Sequence, residues 1–321
     1  MATLFVRDLV LHGKHGTTGR ERNQAQEFRV SMEITVDAKR AARSDSILDA
    51  FDYKIAQAIA RHVVERENHV LIETIAVRIA ERIALYPNVD AVEVVVEKMN
   101  VSGGVPAIKV STRNMAQERE DKLLPFDAKV VIEALKSEGG ISIPILNHRY
   151  CEILLEEVAL YGFEGNSEYI RKGTQSEVRQ QLSVVRDPYP KGLFSALRDD
   201  FVSAWSCALR VATEIPFPFD RPLSFNDLSL QKYEAGSIGI TPHVDGKNMR
   251  NLICVFCLSG KARFVLCDDR AGTNPRELST KPGNVILLRA PGFLGSEDQQ
   301  FHFVTDVSSE RIIFGMRQKV K

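Results

Sequence analysis

One polar run divides this chain and limits what it can fold into. Residues 114–122 read NMAQEREDK and carry no apolar periodicity, whereas the segments on either side repeat apolar positions in ways that demand burial. At 321 residues the chain is long enough for two cores, and 44% hydrophobic residues can fill them. The run is therefore expected to be a boundary between two domains, with a short solvated helix as the alternative.

Before the run, the order reads strand, strand, helix, helix, strand, strand. Thr3–Leu11 and Glu27–Ala38 alternate apolar and polar side chains, and Val89–Glu97 does so most strongly, as VDAVEVVVE. A short strand is expected near Ile108–Thr112. Asp49 is a plausible N-cap for a helix over Asp52–Glu65, with Ile55, Ile59 and Val63 on one face. A second helix over Leu71–Leu85 ends at Pro87 and Asn88. After the run, Asp127–Leu135 and Tyr150–Leu160 read as helices. From Phe225 onward short strands alternate with Gly, Pro and Asp turns, which indicates a barrel or sandwich.

Lys plus Arg equal Asp plus Glu, so no bulk charge draws the chain to nucleic acid or to an anionic membrane. No stretch approaches the length of a membrane span, and the N-terminus has no signal-peptide pattern. Five scattered cysteines argue for a reducing, cytoplasmic setting. Cys254 and Cys257 have the spacing of a metal pair but lie in an apolar strand, where a core role is expected.

Two sets of residues carry chemistry. In the second half, His243 and Asp245 stand two apart in TPHVD, on one face if extended, and His302 opens another strand-like run. Two imidazoles and a carboxylate suit a facial site for Fe(II). Arg311 lies among Ile312, Ile313 and Phe314, where a guanidinium needs an anionic partner, and Arg317 returns to the same strand face. In the first half, a Gly-rich turn, HGKHG, holds His12, His15 and Gly16 and precedes Glu21. Tyr53 opens one helix, Glu73 the other, and Lys98 ends the most apolar strand. Each has a plain reading: Lys98 as a snorkelling edge residue, Glu73 as a first-turn acid favouring the helix dipole.

The second half resembles the Fe(II)/2-oxoglutarate-dependent oxygenases over roughly residues 185–321, through His243, Asp245, His302 and Arg311. It is closer to their AlkB-like branch through Gln231, Tyr233 and Gly236 before His243 and through the six-residue step from Arg311 to Arg317. The resemblance implies that Tyr233, Arg311 and Arg317 hold 2-oxoglutarate, and that Fe(II), 2-oxoglutarate and O₂ together hydroxylate a substrate. Ala290–Gln300 is a candidate lid. Gln231 stands where that branch often has Asn, and the arginines follow His302 more closely than in its DNA-repair members, so repair is not carried over.

Residues 1 to about 113 resemble dihydroneopterin aldolase, through His15-Gly16 with Glu21, Asp52-Tyr53, Glu73 within LIETIA, and Lys98. Met99 stands where that family usually has proline. The resemblance implies that Glu73 grips the amino-pyrimidinone edge of a reduced pterin and that Lys98, with Glu21, manages protonation near the ring imine. Tyr53 would move a hydroxyl proton during C–C cleavage. His12 and His15 read as turn and substrate-rim histidines.

Together these readings give an α+β chain: a tunnelling-fold domain at 1–113, a linker at 114–124, and a double-stranded β-helix (jelly-roll) oxygenase domain at 125–321. The expected function is a bifunctional cytoplasmic enzyme, a hydroxylase of a small heterocycle or pterin joined to a 7,8-dihydroneopterin retro-aldolase. The alternatives are an oxygenase with an aldolase-like scaffold, and an AlkB-like nucleic-acid demethylase. The resemblance further implies a homo-oligomer, a tetramer or octamer built through the first domain.

Overall fold

A computed structural model of the protein describes residues 1–115, 123–165, 169–172, 177–189, 192–212 and 216–320. Most of the polar run expected as a linker lies outside the described residues. Contacts divide the chain into two compact units, Met1–Glu120 with Tyr189–Ala196, and Asp121–Pro188 with Leu197–Lys321.

The first unit is built on one antiparallel sheet with two long helices and two short ones. Strands β1 (Ala2–Gly13), β2 (Gln26–Val36), β3 (Val89–Lys98) and β4 (Ala107–Arg113) lie in that order. Short helices α1 (Gly19–Asn23) and α2 (Lys39–Ser44) flank β2, and helices α3 (Tyr53–Arg66) and α4 (Ile72–Ala84) follow. The alternation seen in sequence becomes one buried face: Phe28, Val30, Met32 and Ile34 on β2, and Val92, Val94 and Val96 on β3, all without solvent exposure. Against it the helices bury Ile–Ala pairs, Ile55-Ala56 and Ile59-Ala60 on α3, then Ile75-Ala76, Ile79-Ala80 and Ile83-Ala84 on α4. The alanines let the helices approach, and each buried isoleucine contributes roughly 1.5–3 kcal/mol. The N-cap of α3 is Asp52, whose side chain accepts from the Lys54 amide. Asp49, the expected cap, instead ends a 3₁₀ turn and pairs with Arg40 at 2.6 Å.

In the second unit α5 (Ala128–Glu138) is capped by Asp127 and α6 (His148–Val158) by Asn147. Between and after them run β5 (Gly140–Pro144), β6 (Glu164–Gly165), β7 (Tyr169–Lys172), β8 (Glu177–Gln181) and β9 (Ser183–Arg186). Helix α7 (Leu193–Val211), which belongs to this unit from Leu197 onward, was not anticipated, although Leu197, Phe201 and Trp205 recur on one buried face. Eight strands complete the unit. They are β10 (Asp227–Tyr233), β11 (Gly239–His243), β12 (Met249–Ser259), β13 (Arg263–Cys267), β14 (Arg276–Leu278), β15 (Asn284–Arg289), β16 (Phe301–Thr305) and β17 (Arg311–Lys319).

These strands form two sheets. One has the order β5-β15-β12-β17-β10-β9-β6, the other β14-β13-β16-β11-β8-β7. Ile253, Val255, Ile286, Leu288 and Ile313 of the first share a core with Phe264, Leu266 and Val304 of the second. On the opposite face of the larger sheet, Phe201 of α7 meets Phe256 edge-on at 5.2 Å.

The expected double-stranded β-helix (jelly-roll) is not what the second unit forms. Among the described residues neither sheet closes into a barrel: one ends on β5 and β6, the other on β14 and β7, each edge lacking a further partner strand. The composition is α+β, with one N-terminal sheet and two open C-terminal sheets. Cys254 and Cys257 lie on opposite faces of β12, both buried. Among the described residues no helix is long and apolar enough to cross a membrane.

Candidate active site

In the first unit the chemistry gathers where β1 ends. The Thr18 side chain caps α1, accepting from the Glu21 amide at 3.3 Å. In return the Glu21 Oε2 accepts from the Thr18 amide (2.9 Å) and hydroxyl (2.7 Å), completing a capping box. This fixes one carboxylate oxygen and leaves Oε1 facing the end of β3, where the Lys98 ammonium binds it. The Lys98 ammonium, and then the Thr18 hydroxyl and amide, pull the Glu21 carboxyl down to about 2. The two partners lie seventy-seven residues apart in sequence.

Gly16 makes this close approach possible. Its φ is +143°, and a Cβ there would lie 2.6 Å from the Cβ and Cδ of Glu21. Gln26 spans the same turn, donating to the carbonyls of His15 (2.9 Å) and Glu21 (3.0 Å).

His15 is not at a substrate rim. It is 1% exposed, with Nε2 2.8 Å from the Val64 carbonyl and Nδ1 3.0 Å from the His69 amide. His12 is exposed on β1. Tyr53, 48% exposed, opens α3, and Glu73, also exposed, lies in the first turn of α4. Among the described residues neither shares a hydrogen bond or ion pair with Glu21 or Lys98. A second polar centre was not foreseen. Glu67, just past α3, binds His69 (2.6 Å) and Arg82 (2.7 Å). Burial alone would raise its carboxyl, but Arg82 and His69 outweigh that and lower it.

In the second unit His243 and His302 are cross-strand partners on β11 and β16, with ring centroids 4.4 Å apart. Phe264 stacks on His302 at 5.3 Å. Each imidazole donates through Nδ1 to a backbone carbonyl, of Thr241 (2.9 Å) and Gln300 (3.1 Å) respectively. Burial, then the neighbouring His302, lowers His243 to about 3, and burial likewise lowers His302, so both rings are neutral. Asp245 lies just past β11. Its Oδ1 accepts from Arg317 Nε at 2.8 Å, and its Oδ2 stands 3.6 Å from His302 Nε2 without a hydrogen bond. Burial would raise its carboxyl, but Arg317 holds it far below the ordinary carboxylate range. Arg311, 1% exposed, lies 5.4 Å from the Tyr233 ring, with Nη2 3.8 Å from Cys257 Sγ. The Tyr233 hydroxyl donates to Gln231 at 3.0 Å.

This geometry corrects the iron expectation. The three residues approach one another, yet the one carboxylate is engaged by a guanidinium that supplies its counter-charge. Among the described residues no group of three or more His, Cys, Asp and Glu side chains is arranged to hold a metal ion. The Fe(II), 2-oxoglutarate and O₂ chemistry, and with it the dioxygenase half of a bifunctional enzyme, is therefore withdrawn. The candidate lid at Ala290–Gln300 is a loop with a 3₁₀ turn, Phe293–Gly295, whose Phe293 is buried.

Comparison with known proteins falls on both units. The family model for dihydroneopterin aldolase (FolB) matches residues 4–113. The dihydroneopterin aldolase of Streptococcus pyogenes serotype M18 is 31% identical over 102 residues, 31% of this chain and 86% of that protein. That of Streptomyces coelicolor is 34% identical over 106 residues, 33% of this chain and 89% of that protein. The second unit is structurally similar to an oxidoreductase of the 2OG-Fe(II) oxygenase family from Burkholderia pseudomallei. That match has 12% identity and a TM-score of 0.42, and it covers 61% of this chain and 92% of that one. Through its first unit, the chain belongs to the dihydroneopterin aldolase family.

Proposed function

We propose that the first unit cleaves a reduced pterin by a retro-aldol reaction, with 7,8-dihydroneopterin as substrate. The observation that carries this reading is the Glu21–Lys98 ion pair, set by the capping box in a chain of this family. The reaction needs a grip on the ring, a proton donor and a path for a hydroxyl proton. Glu73, exposed in the first turn of α4, has a carboxylate able to accept from both the ring N–H and the exocyclic amine. Lys98 protonates the ring imine while Glu21 keeps the ammonium aimed. Tyr53 relays the proton of the side chain's second hydroxyl to water, accepting it as it passes on its own, while the bond between the first and second carbons breaks. The bonding electrons pass into the protonated imine to give an enamine, glycolaldehyde leaves, and a proton from water added to the first carbon, with the imine proton returned to Lys98, yields the hydroxymethyl product.

Among the described residues Tyr53 shares no hydrogen bond or ion pair with Glu21 or Lys98, and this supports a site completed by a second subunit. Among the described residues the edges β1 and β4 lack further partner strands, and Phe5 (46%) and Val10 (47%) are exposed on β1. A ring of four subunits, or two stacked rings, would cover such edges. Five free cysteines, four of them buried, support a cytoplasmic setting.

Purified full-length protein with 7,8-dihydroneopterin is expected to release glycolaldehyde, and Lys98→Ala to lose that release while retaining pterin binding through Glu73. Wild-type protein that binds the pterin and releases no glycolaldehyde overturns the proposal. Light scattering that finds a monomer at high concentration overturns the assembly.

A further inference from the structure

The proposed reaction leaves His15 without a task, although it is among the most deeply buried polar side chains of the chain. Its surroundings fix its chemical state. The His69 backbone N–H can only donate, so Nδ1, 3.0 Å away, carries no proton. The Val64 carbonyl can only accept, so Nε2, 2.8 Å away, carries one. The ring stacks on His69 at 5.6 Å and meets Phe28 edge-on at 5.3 Å. The fit extends to Gly13, where an added Cβ would lie 2.7 Å from His15 Nε2.

On its other side the same residue is tied to the catalytic turn. The Gly16 amide donates to the His69 carbonyl at 3.0 Å, so residues 15 and 16 both clasp His69. Gln26 links the His15 carbonyl to that of Glu21, and Arg22 donates to the Gly16 carbonyl at 2.8 Å. The Glu21 side chain occupies the space that a Cβ at Gly16 would need. The His69 ring is anchored in turn by Glu67, which Arg82 of α4 holds.

We propose that His15 is a positioning residue for the aldolase site: as the Nε2–H tautomer it pins the Gly16–Glu21 turn to residues 64–69 and so sets the Glu21 carboxylate on Lys98. Burial favours the neutral ring this requires. The Val64 bond and Glu67 oppose it, while His69 and Lys98 add to it. The inference rests on the aldolase reading for its kinetic consequence, but its structural claim stands apart from that reading.

The test compares His15→Gln with His15→Phe in the full chain. A glutamine amide spaces a donor and an acceptor much as imidazole does, and can keep both bonds. Phenylalanine fills the volume and keeps neither. On 7,8-dihydroneopterin the Gln variant is expected to retain kcat, and the Phe variant to lose on the order of a hundredfold in kcat, as a misplacement of about 1 Å does. Its KM should move less, since Glu73 holds the ring. Two measurements do not depend on turnover. Imidazole ¹⁵N shifts of wild-type protein should show His15 protonated at Nε2 alone. Glu21 ¹³C shifts should show a carboxylate down to pH 4 in wild type and Gln variant, with protonation beginning at higher pH in the Phe variant. Equal kcat in both variants, an Nδ1–H tautomer, or a Glu21 titration unchanged by Phe overturns the inference. Absence of glycolaldehyde from the wild type overturns only the aldolase reading, and the two NMR outcomes then decide the positioning claim.

Discussion

Gly16→Ala puts the architecture of the turn to its sharpest test. Two separate costs arise from one methyl group. The backbone at φ +143° is a conformation that L-residues rarely adopt, and holding one there costs about 1–3 kcal/mol. The methyl would also lie 2.6 Å from the Glu21 Cβ, well inside contact distance, and overpacking of this kind costs about 1–3 kcal/mol. Rotating the Glu21 side chain relieves only the overlap with Cδ, because its Cβ is fixed by the backbone of α1. The turn must therefore deform, and the first unit should lose about 2–4 kcal/mol. With a urea dependence of about 2 kcal/mol/M for a unit of this size, its unfolding midpoint should fall by about 1–2 M. Gly19→Ala is the control. It lies three residues on, in the same helix entry, and its added Cβ meets nothing within 4 Å. That variant should stay within about 0.5 kcal/mol of wild type. Urea unfolding followed by hydrogen exchange of β2 and β3 amides isolates the first unit. A Gly16→Ala midpoint indistinguishable from Gly19→Ala would refute the reasoning.

The remaining predictions concern charge. His15 has a folded-state pKa below its ordinary 6.5, so the stability it confers is complete above pH 6.5 and declines as pH falls toward the folded value. Urea midpoints of the first unit between pH 7.5 and 5 should show that decline in wild type and lose it in His15→Gln. The acids Glu21 and Glu67 titrate below 4.5 and leave that window undisturbed. Thr18→Ala removes the cap of α1, should cost about 0.5–2 kcal/mol, and should raise the Glu21 carboxyl from about 2 toward 4.5, read by ¹³C NMR. In the second unit Arg317→Met strands the buried Asp245 carboxylate and should cost about 3–5 kcal/mol, whereas Asp245→Asn combined with Arg317→Met should cost markedly less in the same denaturant assay.

Sequence reading was strongest where periodicity met burial directly. The strands and paired helices of the first unit follow from alternation at Phe28–Ile34 and from the Ile–Ala steps of α3 and α4, because a one-sided sheet and its covering helices leave distinct periods. Capping was harder. Asp49 and Asp52 are both good caps in isolation, and the local pattern does not say that the second is the one used. Helix α7 was legible, since Leu197, Phe201 and Trp205 carry a helical period between strand-like segments. Closure of the second unit's sheets was not legible, for strand spacing gives strand number and says nothing of which edges pair. Two facts about side chains were beyond reach: that His15 has both ring nitrogens engaged by backbone, and that Asp245 answers Arg317 from 72 residues away. Each depends on a contact between segments whose local patterns are indifferent to it.

The same contrast bears on how the two polar centres are held. The Glu21–Lys98 pair has one oxygen fixed by a four-residue capping box, and only the other is left to a distant partner. Its precision is therefore mostly local, and the sheet register of Phe28 against Lys98 supplies the rest. The Asp245–Arg317 pair has no such local frame. Asp245 lies beyond the last hydrogen-bonded residue of β11, and its orientation comes from Arg317 on β17, with Gln299 donating to its backbone carbonyl at 2.6 Å. A locally framed carboxylate can lose its partner and keep its place, whereas one oriented from across the fold moves when its partner goes. Lys98→Ala should accordingly leave the Thr18–Glu21 contacts intact, while Arg317→Met should displace Asp245 itself. A structure of each variant separates the two cases, and an unmoved Asp245 without Arg317 would defeat the distinction.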